Sequence, residues 1–518
     1  MSIRIALDNP PEFYTNLDFI QGRIILGLNR PESIGNIVVK LEGDSRTALD
    51  VDDRAVTSFS NSQFPSDYRS ETHKLLYLVK QVYPDERSQP STPVGGMPGV
   101  LYPGQHEFPF KFKVPLNNIC GNPTAMAAFN GIGGIAGPSS NFLGFAGFRT
   151  MDGSKQLMLQ HVRATLPPSL TGFPRKAEIR YYIKCTIQRP GFFKENWRYQ
   201  IGFKFLPIES PRPPVTKQEA FARRPFTFQP RTPHQAMKKR TSFFGSKNTK
   251  NDDEEPIPPS FEMSARLPFP SILTCNQPIP LRLVAKKVAP SQEQVYLTSL
   301  EICLVGFTDI RVFDTQHSEV TKWVVASGTN LAIPVGDAAD AVDTETVLPD
   351  RFWAERPLPN TVAPTFTACN LSRRYEIELR ITLSWGKPAK IGSRAAAPYP
   401  QNVTLPLKLS KVDIFSGITP PPELVQAAAA AITATNNGGR PQPPPLPPRT
   451  PTASGPPHDP LYPPQLAPGE LPRYDDAPPS YDEAVAQQIP GPQERPAYSG
   501  VTAENDPSTM PPEKSGHH

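Results

Sequence analysis

The residues with the most specific chemistry lie near the carboxyl end, in the stretch Leu471 to Val485, LPRYDDAPPSYDEAV. Pro478-Pro479-Ser480-Tyr481 is a PPxY sequence. Prolines in the polyproline II conformation lose little freedom on binding, so the aromatic-lined grooves of WW domains accept them readily. Tyr481, two residues past the second proline, would fill an adjacent pocket. Asp482-Glu483-Ala484-Val485 can add a first helical turn that returns Val485 to the same groove. Seven residues before Tyr481, Leu471-Pro472-Arg473-Tyr474 repeats the pattern as an LPxY variant. Two such sites on one tail raise the effective concentration for a partner with several WW domains.

Other short motifs are less specific. Pro444-x-x-Pro447-x-Arg449, within PPPLPPR, has the form of an SH3 ligand whose arginine enters an acidic pocket. Lys238-Lys239-Arg240 precedes the hydroxyls of Thr241 and Ser242, which makes these two candidates for phosphorylation. The same basic stretch could contact anionic lipid headgroups, giving peripheral membrane contact, or be a solvated linker. Lys238, Lys239, Lys247 and Lys250 are candidate ubiquitin acceptors by their position in that stretch.

The chain has little that could carry catalysis. Its eight histidines are dispersed, with no HExxH, and it holds no P-loop, no GxGxxG after a strand and no GxSxG. The expectation is a protein that is not an enzyme and uses no cofactor. Cys120, Cys185, Cys275, Cys303 and Cys369 stand far apart with no CxxC pair, so no metal site is expected and the thiols read as reduced and cytosolic. The 54 Lys+Arg against 49 Asp+Glu give a formal charge of +5, too slight for a nucleic-acid footprint. The first residues lack the apolar core of a signal peptide, and no window is apolar enough for a membrane span.

The elements around these motifs read as strands. Ile3, Ile5 and Leu7 alternate with polar residues, and further candidates lie at 23–28, 37–41, 73–82, 104–114, 179–187 and 197–205. Residues 119–150, rich in Gly, Pro and Asn, read as a flexible insert in this first unit, 1–208. Residues 209–260 turn basic, then acidic, and proline-rich, which predicts a disordered interdomain linker. Strand signals resume over 261–415, at 281–284, 295–307, 375–385 and 403–409, with Pro406 suited to an edge or bulge. Residues 416–518, crowded with proline, read as a disordered tail apart from a short helix in the alanine-rich 423–434. The fold class is therefore all-β: two tandem antiparallel β-sandwiches of immunoglobulin-like form followed by the tail.

Three segments resemble the arrestin family, the fungal α-arrestins in particular. They are Val38-Val39-Lys40-Leu41-Glu42-Gly43, Tyr102-Pro103-Gly104-Gln105-His106-Glu107-Phe108-Pro109-Phe110, and Leu166-Pro167-Pro168-Ser169 leading into Ile179 to Cys185. The second is similar to the family's G-x-H-x-F-P-F strand. The resemblance extends loosely over residues 1–415, and a PPxY tail is a usual companion. It implies an adaptor whose arrestin-like body recognises cytoplasmic segments of membrane transporters or receptors. The tail would engage a WW-domain HECT ubiquitin ligase, leading to cargo ubiquitination, endocytosis and sorting. Such a protein would be cytoplasmic and recruited peripherally to plasma membrane and endosomes. The alternative is an arrestin-like scaffold in trafficking or in pH or receptor signalling, without ligase recruitment.

Overall fold

The structure is a computed structural model that describes residues 1–50, 68–84, 99–123, 158–191, 194–214, 216–231, 257–359, 361–387, 401–427, 486–492 and 495. The first sandwich comprises β1 (Ser2–Leu7), β2 (Phe19–Leu28), β3 (Glu32–Ser33), β4 (Asn36–Asp50), β5 (Tyr68–Tyr83), β6 (Val100–Leu101), β7 (Gly104–Lys113), β8 (Leu170–Phe173), β9 (Ala177–Gln188) and β10 (Trp197–Phe203). One sheet runs β1-β2-β7 and faces a second, β10-β9-β4-β5, with β8 added on β9. Alternation fixes the inner faces. In β2, Ile20, Ile24, Leu26 and Leu28 are buried while Phe19, Gln21 and Arg23 point outward. Phe110 and Phe112 close the same core from β7, as their period-two spacing predicts.

The second sandwich holds β11 (Glu219–Thr227), β12 (Ser260–Pro268), β13 (Ile272–Thr274), β14 (Arg282–Lys287), β15 (Val295–Val312), β16 (Thr315–Gly328), β17 (Ile333–Pro334), β18 (Glu345–Val347), β19 (Phe366–Thr367), β20 (Leu371–Trp385) and β21 (Gln401–Phe415). Its sheets run β11-β12-β14-β18 and β13-β21-β20-β15-β16, with β17 and β19 on the flanks of β15 and β20. In β21, Pro406 sits opposite Arg380, and β13 pairs only with residues 413–415, so the missing N–H of Pro406 breaks no second ladder.

The expected linker at 209–260 needs correction. β11 lies inside it and pairs along its whole length with β12, from Glu219 opposite Pro268 to Thr227 opposite Ser260. Its composition misled because, among the described residues, β11 is an edge strand with one pairing partner, where Pro225 and exposed arginines are tolerated. The chain therefore enters the second sandwich before residue 219, and the segment 232–256 connects two strands of one sheet. The tail expectation also changes at two places. Ile418 and Leu424, the latter in a helical turn at 422–427, pack into the second core, as do Ala486 and Ile489.

The two sandwiches share packing. β15 is long enough to serve both: Val295, Leu297, Leu300, Ile302 and Leu304 fill the second core, while Ile310 and Val312 enter the first beside Leu49 and Ile179. Phe366, Ala368, Cys369 and Leu371 follow Ile310 into that core.

Candidate functional site

The seam between the sandwiches gathers the polar side chains that the cores exclude. At its centre Asn370 donates through Nδ2 to Thr47 Oγ1 at 2.9 Å, and Ser45 Oγ donates to Asn370 Oδ1 at 2.7 Å. Thr47 Oγ1 donates to the Arg311 carbonyl at 2.7 Å. Glu71, fully buried, accepts from Arg311 Nη2 at 2.9 Å and from the backbone N–H of Phe313, which turns the β15–β16 hairpin at φ 52°. Burial alone would raise the Glu71 carboxyl, but hydrogen bonds from His73 and Phe313 and the charge of Arg311 outweigh it and hold the pKa below the ordinary value.

Beside Glu71 stand His73, Cys120, His161 and Cys369, whose ligating atoms all lie within 4.8 Å of one another. β5 supplies His73; its register slips at Gly43/Asp44, leaving Leu75 as the extra residue of a bulge. Glu71 and His73, two apart, thus face the seam together while Lys74 faces the other side of the sheet. Cys120 follows β7, His161 precedes β8, and Cys369 joins β19 to β20. Cys369 is held well below the usual thiol range, at about 3. The Cys120 thiol donating to it is the leading cause; burial works the other way, and the His73 imidazole and Val162 N–H add to the lowering. Four side chains with metal-ligating chemistry converge here, although no two are close in sequence.

On the far face of the same sheet, Lys74 is buried between Glu42 and Asp44, each 2.5 Å from its Nζ. Tyr182 donates to Asp44 at 2.8 Å. Burial opposes the charges, yet the pairing lowers the Asp44 pKa and raises that of Lys74. A surface cleft of about 760 Å³ nearby is lined by Arg46, Arg175, Lys176 and Arg180. Arg46 is paired with Asp44, Lys176 with Glu319 and Arg180 with Glu178, so most of this positive charge is already neutralised.

A third assembly holds the tail. Residues 486–488 form a helical turn whose carbonyls face Lys113 at the end of β7. Lys113 Nζ donates to Ala486, Gln487 and Ile489 at 2.8, 2.7 and 2.6 Å. A cation there satisfies carbonyls that a helix end leaves unpaired. Gly491 then passes so close to the body that a Cβ would lie 2.5 Å from Asp18 Oδ1 and 3.1 Å from its backbone N. Arg495 closes the clamp: its Nη2 donates to both Asp18 carboxylate oxygens, at 2.8 and 2.7 Å, and its Nη1 to the Phe13 carbonyl.

The sequence motifs stand outside these assemblies. Leu471, Pro472, Tyr474, Pro478, Pro479, Tyr481 and Val485 lie outside the described residues, as do Pro444, Pro447, Arg449, Thr241, Ser242, Lys238, Lys239, Lys247 and Lys250. Conversely, sequence reading missed Asp18, Lys113 and Arg495. Nothing in their spacing marks them, because residues 18 and 495 meet only through the fold.

Residues 3–131 match the family model "Arrestin (or S-antigen), N-terminal domain". Over that segment this chain is arrestin-like and similar to fungal arrestin-related trafficking adapters. The relatives carry the name Arrestin-related trafficking adapter 10. The one from Lachancea thermotolerans is 30% identical over 122 residues, 23% of this chain and 28% of its own length. Those from Candida glabrata and Saccharomyces cerevisiae are each 29% identical, over 116 and 122 residues, 22% and 23% of this chain. The match spans 23% of each of those two relatives. The G-x-H-x-F-P-F segment is β7, and the residues quoted at 38–43 lie in β4, both inside the matched region.

Proposed function

We propose that this protein is an arrestin-type trafficking adaptor, whose body recognises cytoplasmic segments of membrane transporters or receptors and whose tail recruits a WW-domain HECT ubiquitin ligase. The names of the relatives support the trafficking part. The observation that carries the ligase part is positional. The segment clamped by Lys113 begins at Ala486, five residues after Tyr481, so a WW domain bound at Pro478-Pro479-x-Tyr481 would be held beside the first sandwich. A short tether converts the second contact of a bound partner into an intramolecular one, raising its effective concentration. Ubiquitin transfer to the cargo, and to adaptor lysines such as Lys238, Lys239, Lys247 and Lys250, would then precede endocytosis and sorting. In this reading the protein works in the cytoplasm and reaches plasma membrane and endosomes through its cargo, with Thr241 and Ser242 as sites of control and an SH3 protein as a further partner at Pro444, Pro447 and Arg449.

The test is capture of a WW-domain ligase by the full chain. Tyr481→Ala should remove most of the binding, and Tyr474→Ala with Tyr481→Ala the remainder, while the melting curve stays unchanged. Full capture by the double variant would overturn ligase recruitment through this tail and leave an arrestin-like scaffold.

A further inference from the structure

The four side chains at the seam are placed as a ligand set. Cys120 and Cys369 Sγ are 3.1 Å apart, and Cys369 Sγ is 3.9 Å from His161 Nδ1. A disulfide would need about 2.0 Å between the sulfurs. Around zinc, with bonds of about 2.3 Å to sulfur and about 2.0 Å to nitrogen, the edges of a tetrahedral two-thiolate, two-imidazole site are about 3.3–3.8 Å. The two separations given lie on either side of those edges and all four ligating atoms fall within 4.8 Å of one another, so side-chain shifts on the order of 1 Å close the tetrahedron. We propose that His73, Cys120, His161 and Cys369 bind one zinc ion that staples the second sandwich to the first.

The surroundings fit that assignment. His73 is fully buried, its Nε2 lies 2.6 Å from Glu71 Oε1, and its Nδ1 has no hydrogen-bond partner among the described residues. A histidine that donates one ring N–H to a carboxylate presents a lone pair at the other nitrogen, the arrangement zinc ligands commonly adopt. Glu71 is itself fixed by Arg311 and the Phe313 N–H, so the imidazole orientation is set from the second sandwich. The Val162 N–H points at Cys369 Sγ at 3.4 Å, as backbone amides do toward ligating thiolates. Two soft sulfurs with two imidazoles favour zinc over magnesium or calcium, which take oxygen ligands. Three ligands belong to the first sandwich and Cys369 to the second, so the ion would hold the interdomain angle.

The experiment uses the full chain, purified under reducing conditions, with metal content measured by mass spectrometry on the native protein. One zinc per chain is expected. After chelation, cobalt(II) should restore one equivalent with the visible absorption of a tetrahedral thiolate site. Cys369→Ser should reduce the bound metal to near zero, and Cys303→Ser, outside the cluster, should leave it at one. Glu71→Gln keeps all four ligands and should weaken zinc affinity about 10–100-fold. Because the cobalt spectrum is read on the unmutated chain, a variant that fails to fold does not blunt the test. Failure of the reduced unmutated chain to take up zinc or cobalt would overturn the proposal. So would a Cys120–Cys369 disulfide in freshly isolated protein, or metal retained at one equivalent by Cys369→Ser.

Discussion

Replacing Arg495 by alanine should release the docked tail segment without disturbing the sandwiches. Arg495 makes two bonds to the Asp18 carboxylate, at 2.8 and 2.7 Å, and a third to the Phe13 carbonyl. Hydrogen bonds to charged groups contribute about 1.5–3 kcal/mol, and here both bonds to the carboxylate leave one nitrogen, Nη2, rather than forming the two parallel bonds of a fork-to-fork pair. The Arg495 side chain keeps 25% of its exposure, so solvent screening and the cost of ordering a long side chain reduce the net to about 2 kcal/mol. That is roughly a 30-fold shift of the docking equilibrium. Amide hydrogen exchange in the peptide containing residues 486–492 reads it directly. Exchange there should quicken roughly 30-fold while β15 and β20 exchange as before. Gly491→Ala should give a similar loosening by a different route, since its new methyl would meet the Asp18 backbone as well as the carboxylate. Burial, the largest influence, lifts the Asp18 pKa above 3.8, while the Thr15 N–H and Arg495 pull it down. Exchange rates at 486–492 that Arg495→Ala leaves unchanged would refute this account of the clamp.

The buried pairs and the shared core give further outcomes. Lys74→Met leaves Glu42 and Asp44 buried without their cation and should cost about 3–5 kcal/mol in denaturant unfolding. The Lys74 pKa is raised on folding, so its contribution is complete below pH 10.5 and fades as pH climbs through the higher folded value; alkaline unfolding should be steep in wild type and flattened in the variant. Ile310→Ala empties a fully buried position where β15 enters the first core, at a cost of about 2–5 kcal/mol. Calorimetry should then resolve two unfolding steps, and a single unshifted transition would refute the coupling assigned to β15.

Much of the sandwich architecture was legible because each long strand declares its faces. Tyr375, Ile377, Leu379, Ile381 and Leu383 alternate in sequence and are all buried in the structure. Legibility failed where pairing or packing comes from far along the chain. β11 is basic and proline-bearing, and only its partner β12 makes it a strand. The four side chains gathered at the seam illustrate the same limit: close CxxC or HxxxH spacing arises when one hairpin or helix supplies two ligands, and here four separate segments supply one each. Likewise Asp18 and Arg495 are ordinary surface types by composition, and their pairing is a product of tail docking.

The sharing of elements across the seam bears on how such a body would act as an adaptor. Two sandwiches joined by a free linker could bind cargo independently and would hold a ligase at no fixed distance. Here β15 carries side chains of both cores, Asn370 and Arg311 reach back to β4 and β5, and the tail is clamped where β7 meets the turn before β2. Any change in the angle between sandwiches must break the Glu71–Arg311 pair and withdraw Ile310 and Val312 from the first core, which is a cooperative step. The clamp couples to the same body, because Phe13 and Leu17 pack in the second core beside Ala486 and Ile489. A ligand that reorients the sandwiches would therefore shift the docking equilibrium of the tail, and with it the position of the nearby PPxY motif, by as much as its affinities for the two arrangements differ.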